Sequence, residues 1–245
     1  MKLAGNTVLI TGGASGIGFA LAERFLKAGS EVIICGRREE KLQQVRQQYP
    51  TLHTRVCDVG DPADRVALAR WVKQEFPKLN VFINNAGIQR RVAVADIGEA
   101  WEAHQQEIAI NLEAPIHLSA LLLPLLQQQP EAYIMNVTSG LAFVPGAFAA
   151  IYSATKAAMH SFTMSLRQQL AHTSIKVIEL VPPAVNTDLG GPGLHTFGAP
   201  LNDFADAMIQ GLENGEQEIG YGTSERNRKA SRQEIDEIFR QMNAR

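Results

Sequence analysis

The stretch Thr7-Val8-Leu9-Ile10-Thr11-Gly12-Gly13-Ala14-Ser15-Gly16-Ile17-Gly18 decides the fold. Its first half is an unbroken aliphatic run without polar/apolar alternation, the pattern of a strand buried on both faces. Its second half places glycine at 12, 13, 16 and 18 and leads into an amphipathic helical pattern over residues 19–28. Glycine is needed where the chain turns sharply and its backbone must approach another group closely. Such a turn aims main-chain N–H groups and a helix N-terminus at an anion, a phosphate above all. The spacing, Gly-x-x-x-Gly-x-Gly, differs from the Gly-x-Gly-x-x-Gly of other dinucleotide folds. By itself it also suits a tight strand-to-helix turn that binds nothing.

The same alternation continues along the chain. Strand patterns fall at residues 31–35, 52–57, 81–84, 133–138 and 176–181, and Ile219-Gly220 closes a seventh. Helical periodicity fills residues 38–48, 62–76, 100–128 and 150–172. Strands alternating with helices predict an α/β fold, a doubly wound parallel sheet of about seven strands with helices on both faces. Residues 1–245 are read as one domain, a size that a single α/β unit commonly reaches. Within it, 188–215 is the substrate loop region, its Gly- and Pro-rich part spanning 188–201. Residues 231–243 form a C-terminal helix, in which Ser231 and Glu234 have capping-box spacing.

Composition narrows the function classes. With 45% hydrophobic and 20% charged residues the chain is an ordinary globular protein rather than a disordered one. The net charge of -2 is spread evenly, so no basic stripe points to nucleic acid. Met1 to Gly5 run straight into the first strand and no apolar run approaches membrane-spanning length, so no leader or membrane segment is expected and a cytoplasmic setting is. Cys35 and Cys57 end neighbouring strand patterns and are expected as buried, inert thiols. No His, Cys or carboxylate spacing suggests a metal.

The chemistry-bearing residues sit at strand ends. An acidic residue about 20 positions after the last glycine of a dinucleotide turn usually binds the ribose 2'-hydroxyl. Here Gly36 takes that place and Arg37 and Arg38 follow, so with no carboxylate to repel a 2'-phosphate, NADP(H) is favoured over NAD(H). Alternatively, one arginine pairs with Glu39 or Glu40 at the next helix start. Asp58-Val59 and Asn84-Asn85-Ala86-Gly87 follow strands three and four, at the sheet edge where ligands bind. Tyr152 and Lys156, four apart on a helix, share a face. A cation near the phenol is expected to lower its pKa, suiting it to exchange a proton with a carbonyl/alcohol pair. Ser139, ending strand five, can hydrogen-bond the substrate oxygen.

Taken together, Thr11-Gly-x-x-x-Gly-x-Gly18, Asp58, Asn84 to Gly87, Asn111, Ser139, Tyr152-x-x-x-Lys156 and Pro182 to Thr187 resemble the short-chain dehydrogenase/reductase family in order and spacing, over roughly residues 5–190. The resemblance implies a Rossmann-type sheet in the order 3-2-1-4-5-6-7. It implies Tyr152 as general acid/base, Lys156 as the residue that tunes it and binds the nicotinamide ribose, Ser139 as support for the substrate oxygen, and Asn111 as holder of a relay water. The implied cofactor contacts are Gly12, Ser15, Gly16, Ile17, Gly18, Arg37, Arg38, Asp58, Val59, Asn85, Ala86, Gly87, Tyr152, Lys156, Pro182, Val185 and Thr187. One departure stands out: Pro182-Pro183 replaces the usual Pro-Gly, removing a backbone donor beside the nicotinamide position. Residues 32–38 and 218–225 also resemble a narrower bacterial branch, the DltE-like oxidoreductases, which implies no substrate.

Arg90 and Arg91 can meet an anionic substrate or be solvated loop residues. Phe143, Phe148, Leu189, Leu194 and Phe197 can form an apolar pocket wall or simply pack, and His195 is a candidate substrate contact. The helices at 100–128 and 150–172 are more apolar than one sheet requires, and in the family they join subunits, so a homodimer or homotetramer is expected. Three functions fit: an NADP(H)-dependent oxidoreductase acting on a carbonyl or secondary alcohol, an epimerase or lyase using the same tyrosine, and an idle dinucleotide sensor. The short region after Thr187 argues against the second, and the presence of both Tyr152 and Lys156 argues against the third.

Overall fold

The computed structural model describes residues 1–98 and 101–244. Seven parallel strands, β1 (Thr7–Thr11), β2 (Glu31–Gly36), β3 (His53–Val56), β4 (Val81–Asn84), β5 (Ala132–Val137), β6 (Ile175–Val181) and β7 (Glu218–Gly220), form one sheet in the order β3-β2-β1-β4-β5-β6-β7. This is the Rossmann-type arrangement expected. Along β1 and β2, successive buried residues serve opposite faces. Leu9 and Ile33 join Phe82 and Ile134 in one core layer, while Val8, Ile10, Val32 and Ile34 join Val81 and Ile83 in the other. Two apolar faces are the reason these strands lack alternation.

Each layer is closed by helices. On the first face, α3 (Pro62–Glu75), α5 (Ala114–Leu126) and α6 (Ala150–Gln169) supply Leu68, Val72, Leu118, Leu122 and Leu166. On the second, α1 (Gly16–Lys27), α2 (Glu39–Gln48) and α7 (Leu201–Glu213) supply Leu21, Phe25, Leu42, Phe204, Met208 and Leu212. The chain changes direction across the sheet between β1 and β4, leaving a crevice at their carboxyl ends.

Several expectations change. The helix predicted from residue 100 has its first residue outside the described residues. It runs as α4 (Glu102–Ile108), a π-turn (Ala109–Glu113) and α5. Pro115 explains the π-turn: it has no N–H to offer the Asn111 carbonyl four residues back, and its ring crowds that carbonyl. The stretch Glu102–Leu126 is, contrary to expectation, long and apolar enough to span a membrane by length and composition, with an 18-residue window of mean hydropathy 1.5. Its apolar side chains are spent on the core: Leu118, Leu122, Leu125 and Leu126 pack in the first layer. Of 188–215, residues 201–213 are helical because Leu201, Phe204, Ala205, Met208 and Leu212 make one apolar stripe. Two further helices, α8 (Thr223–Lys229) and α9 (Arg232–Asn243), end the chain, and α9 has the capping box read from Ser231 and Glu234. Cys35 and Cys57 are buried free thiols.

Candidate active site

A cleft of about 1250 Å³ follows the carboxyl edge of the sheet. Gly12, Ser15, Gly16, Ile17, Arg37, Arg38, Asp58, Val59, Asn85, Ala86, Gly87, Ser139, Tyr152, Lys156, Pro182, Val185 and Thr187 all line it. Residues scattered over more than 170 positions of sequence thus meet on one surface. Gly18 and Asn111 do not line it. A Cβ at Gly18 would overlap the Asn85 amide, so this glycine serves packing behind the turn.

The turn itself is built for close approach. Gly12 and Gly16 have φ of 65° and 55°, a region that disfavours side chains. A Cβ at Gly13 would overlap Ile34 of β2. Gly13→Ala should therefore destabilise the protein by about 1–3 kcal/mol, read as a lowered Tm. Thr11 Oγ1 accepts hydrogen bonds from the N–H groups of Asn85 (3.1 Å) and Ala86 (3.0 Å), and Asn85 Nδ2 donates to the Thr11 carbonyl at 2.9 Å. These bonds tie the β1 and β4 turns together and consume the Asn85 amide. Ser15, the N-cap of α1, makes no capping bond, which leaves the first N–H groups of the helix to an outside acceptor.

Arg38 Nη2 donates to Ser15 Oγ at 2.9 Å. Arg37 Nη1 lies 3.9 Å from Asp58 Oδ2, so the expectation of no carboxylate beside the arginines does not hold. Strands β2 and β3 are neighbours, which brings their ends together. The pair is half-exposed and long, a contact of small worth that leaves the guanidinium free to turn. Among the described residues neither arginine pairs with Glu39 or Glu40.

At the other end stand Ser139, Tyr152 and Lys156, each more than nine-tenths buried. Ser139 caps a short 3-10 turn, its Oγ accepting from the Leu141 N–H at 3.1 Å, which leaves the hydroxyl hydrogen to be donated. Lys156 Nζ donates to the Val137 carbonyl at 2.8 Å and lies 5.6 Å from the centre of the Tyr152 ring. Gly87 stands beside it, within ordinary contact distance of Nζ. Behind the wall, the Asn111 side chain accepts from the Ile88 N–H (2.9 Å) and donates to its carbonyl (2.8 Å), and Pro115 has no N–H to offer the Asn111 carbonyl.

The electrostatics differ from the sequence expectation. Burial pushes the Tyr152 phenol up to about 12, with the Ser139 hydroxyl pulling down and the Glu107 charge pushing up. Lys156 lies over the ring and bonds a main-chain carbonyl, so burial outweighs it. Burial also brings the Lys156 ammonium down to about 8. At neutral pH the phenol is thus held as a proton donor.

Glu107 escaped the sequence reading. It is fully buried, with Oε1 accepting from the Arg90 N–H at 3.1 Å and Oε2 without a partner among the described residues. Burial raises its own pKa. Glu107 sits one helical turn before Asn111 among Glu102, His104, Gln105 and Gln106 of α4, so nothing in the sequence marks it out. Glu107→Gln removes a negative charge that raises the Tyr152 pKa. The alkaline limb of the pH profile for reduction, which needs a protonated phenol, should therefore move to lower pH, as measured by kcat/KM against pH. The C-terminal helix was also missed as a wall: Ile238, Gln241 and Met242 line the cleft, and Asn243 Oδ1 accepts from the Ala147 N–H at 2.7 Å.

Sequence comparison matches residues 6–194 to the short chain dehydrogenase family model. The chain is 48% identical to the uncharacterized oxidoreductase DltE of Bacillus subtilis strain 168, over 99% of this chain and 98% of that protein. Among solved structures, a short-chain dehydrogenase from Burkholderia cenocepacia J2315 in complex with NADP superposes with a TM-score of 0.85 at 25% identity, covering 98% of this chain and 99% of that one. A short-chain dehydrogenase/reductase from Burkholderia phymatum in complex with NAD gives 0.82 at 20% identity, over 97% and 96% of the two chains, a likeness of fold alone.

Proposed function

Because the chain belongs to the short-chain dehydrogenase family, and is thereby an oxidoreductase of small molecules, we propose that it is an NADP(H)-dependent enzyme interconverting a carbonyl compound and a secondary alcohol. The observation that carries this reading is the burial of Ser139, Tyr152 and Lys156 at one end of a cleft whose other end is the α1 turn with Arg37 and Arg38.

The residues present fit a dinucleotide. The left-handed Gly12 and Gly16 and the uncapped start of α1 suit its pyrophosphate. Arg37, aided by Arg38, suits a 2'-phosphate, and Asp58 and Val59 the adenine side. Lys156, Gly87, Pro182, Val185 and Thr187 suit the nicotinamide riboside. When bound, the cofactor supplies or accepts a hydride. The chain's own work is proton management. Tyr152, held protonated, donates its proton to a substrate carbonyl oxygen and takes it back from an alcohol in the reverse direction. The Ser139 hydroxyl donates to the same oxygen and steadies it. Lys156 stabilises the phenolate left behind, and Asn111 holds the water through which Tyr152 is reprotonated.

The residues between 188 and 200 form the substrate loop in this reading, pinned at its base where Asn186 N–H donates to the Ala199 carbonyl at 2.9 Å. Pro183 replaces a flexible donor there with a rigid wall. A homodimer or homotetramer in the cytoplasm completes the proposal. Ile116 on α5 and Met164 on α6 are exposed apolar residues on the joining helices, and light scattering on the purified protein should give a multiple of the 26.8 kDa chain. A panel of aldehydes and ketones with NADPH tests the activity: steady cofactor oxidation on at least one class supports it, and none on any class speaks against it.

A further inference from the structure

The cleft extends past Tyr152 into a region lined by Arg90, Arg91 and Arg226. Arg90, one of two candidates for meeting an anion, is committed elsewhere: Nε donates to the Ala103 carbonyl at 3.0 Å and Nη2 contacts Gln106 Oε1 at 3.4 Å. Arg91 is held differently. Its guanidinium lies 5.0 Å from the centre of the Phe148 ring, and Nη2 lies 3.3 Å from His195 Nε2. A guanidinium can only donate, so His195 Nε2 accepts and the ring is neutral, with its hydrogen on Nδ1. Burial and the Arg91 charge both disfavour protonation of His195.

This clamp fixes the direction of Arg91 without neutralising it, and among the described residues Arg91 makes no ion pair. Arg91, Phe148 and His195 all line the cleft, and Arg91 is exposed, so its unpaired charge is available to a ligand there. Among the described residues Asp188 is the one carboxylate lining this end, against Arg91 and Arg226, which likewise makes no ion pair among them.

We propose that Arg91, oriented by His195 and Phe148, binds a carboxylate on the substrate, which is therefore an anionic carbonyl or hydroxy compound with an apolar body against Phe148 and Leu189. A carboxylate matches the planar fork of the guanidinium and its single charge. The proposal rests on the hydride-transfer reading for the identity of the reacting group, and on the Arg91 clamp for the anion.

The test uses matched ketone probes, 4-acetylbenzoate and its methyl ester, with NADPH. Wild type should prefer the acid in kcat/KM by roughly 10- to 100-fold, the range of a charge-assisted pair. Arg91→Met should bring the acid-to-ester ratio toward one, and Arg91→Lys should keep part of it. Equilibrium binding of 4-(1-hydroxyethyl)benzoate and its methyl ester to the cofactor-loaded protein gives a readout independent of turnover. A carboxylate preference in binding that Arg91→Met abolishes, in a protein that reduces neither ketone, supports the anion site while removing the reaction assigned above. Equal binding of acid and ester by wild type, or a preference that survives in Arg91→Met, overturns the proposal.

Discussion

Tyr152→Phe is expected to lower kcat/KM for carbonyl reduction by about a thousandfold, the scale of a lost general acid. The substitution keeps the ring, and with it the packing of a residue that is 5% exposed, so the Tm should change little. Dinucleotide binding should persist, because the α1 turn and Arg37 are untouched. A fluorescence titration of cofactor alongside steady-state kinetics separates a missing proton donor from a damaged fold. A fully active Phe variant would remove the role assigned to the phenol. The high phenol pKa adds a directional expectation: near neutral pH the residue is ready to give a proton, the state that reduction requires.

Arg37→Ala is expected to have the second largest effect, confined to cofactor choice. A guanidinium on a 2'-phosphate is a charge-assisted pair, so its loss should reduce the affinity ratio of NADPH to NADH by roughly 10- to 100-fold. Affinity for NADH should change much less, since that cofactor has a hydroxyl in place of the phosphate. Titrating both cofactors into both proteins checks this, and an unchanged ratio contradicts it. Solved relatives of similar fold bind either NADP or NAD, so the side chains of this chain carry the argument. Arg38 contributes less, because Ser15 already takes one of its donors. Asp58, 3.9 Å from Arg37, is the group that must yield when a phosphate arrives.

The sheet was legible because its strands announce themselves. Val8 to Ile10 and Val32 to Ile34 are buried on both faces, and only continuous apolar runs satisfy that demand. Ser139, Tyr152 and Lys156 were legible because each sits at a strand end or one helical turn from another, whereas Asn111 stood out only through the family resemblance. What the sequence hid depends on contacts remote along the chain or on subtle backbone chemistry. The π-turn at Asn111 follows from one missing N–H at Pro115, which a helical periodicity count passes over. Glu107 looked like any helix glutamate until burial isolated its second oxygen. Helix α9 read as a charged terminal helix, yet Asn243 anchors it 96 residues back at Ala147 and brings Met242 to the cleft. The 201–213 helix was masked by the Gly- and Pro-rich loop before it. The effect of the lysine on the tyrosine was misjudged because spacing says that two side chains share a face and nothing about how much water each has lost.

The most direct measurement is isotope transfer. NADPH carrying two deuterium atoms at C4 of the nicotinamide is incubated with the protein and a carbonyl compound that it turns over, and the alcohol formed is analysed by NMR. The account predicts one deuterium on the former carbonyl carbon, at a rate that falls about a thousandfold in Tyr152→Phe. Alcohol formed without deuterium at that carbon, or formed equally fast by the Phe variant, would contradict it.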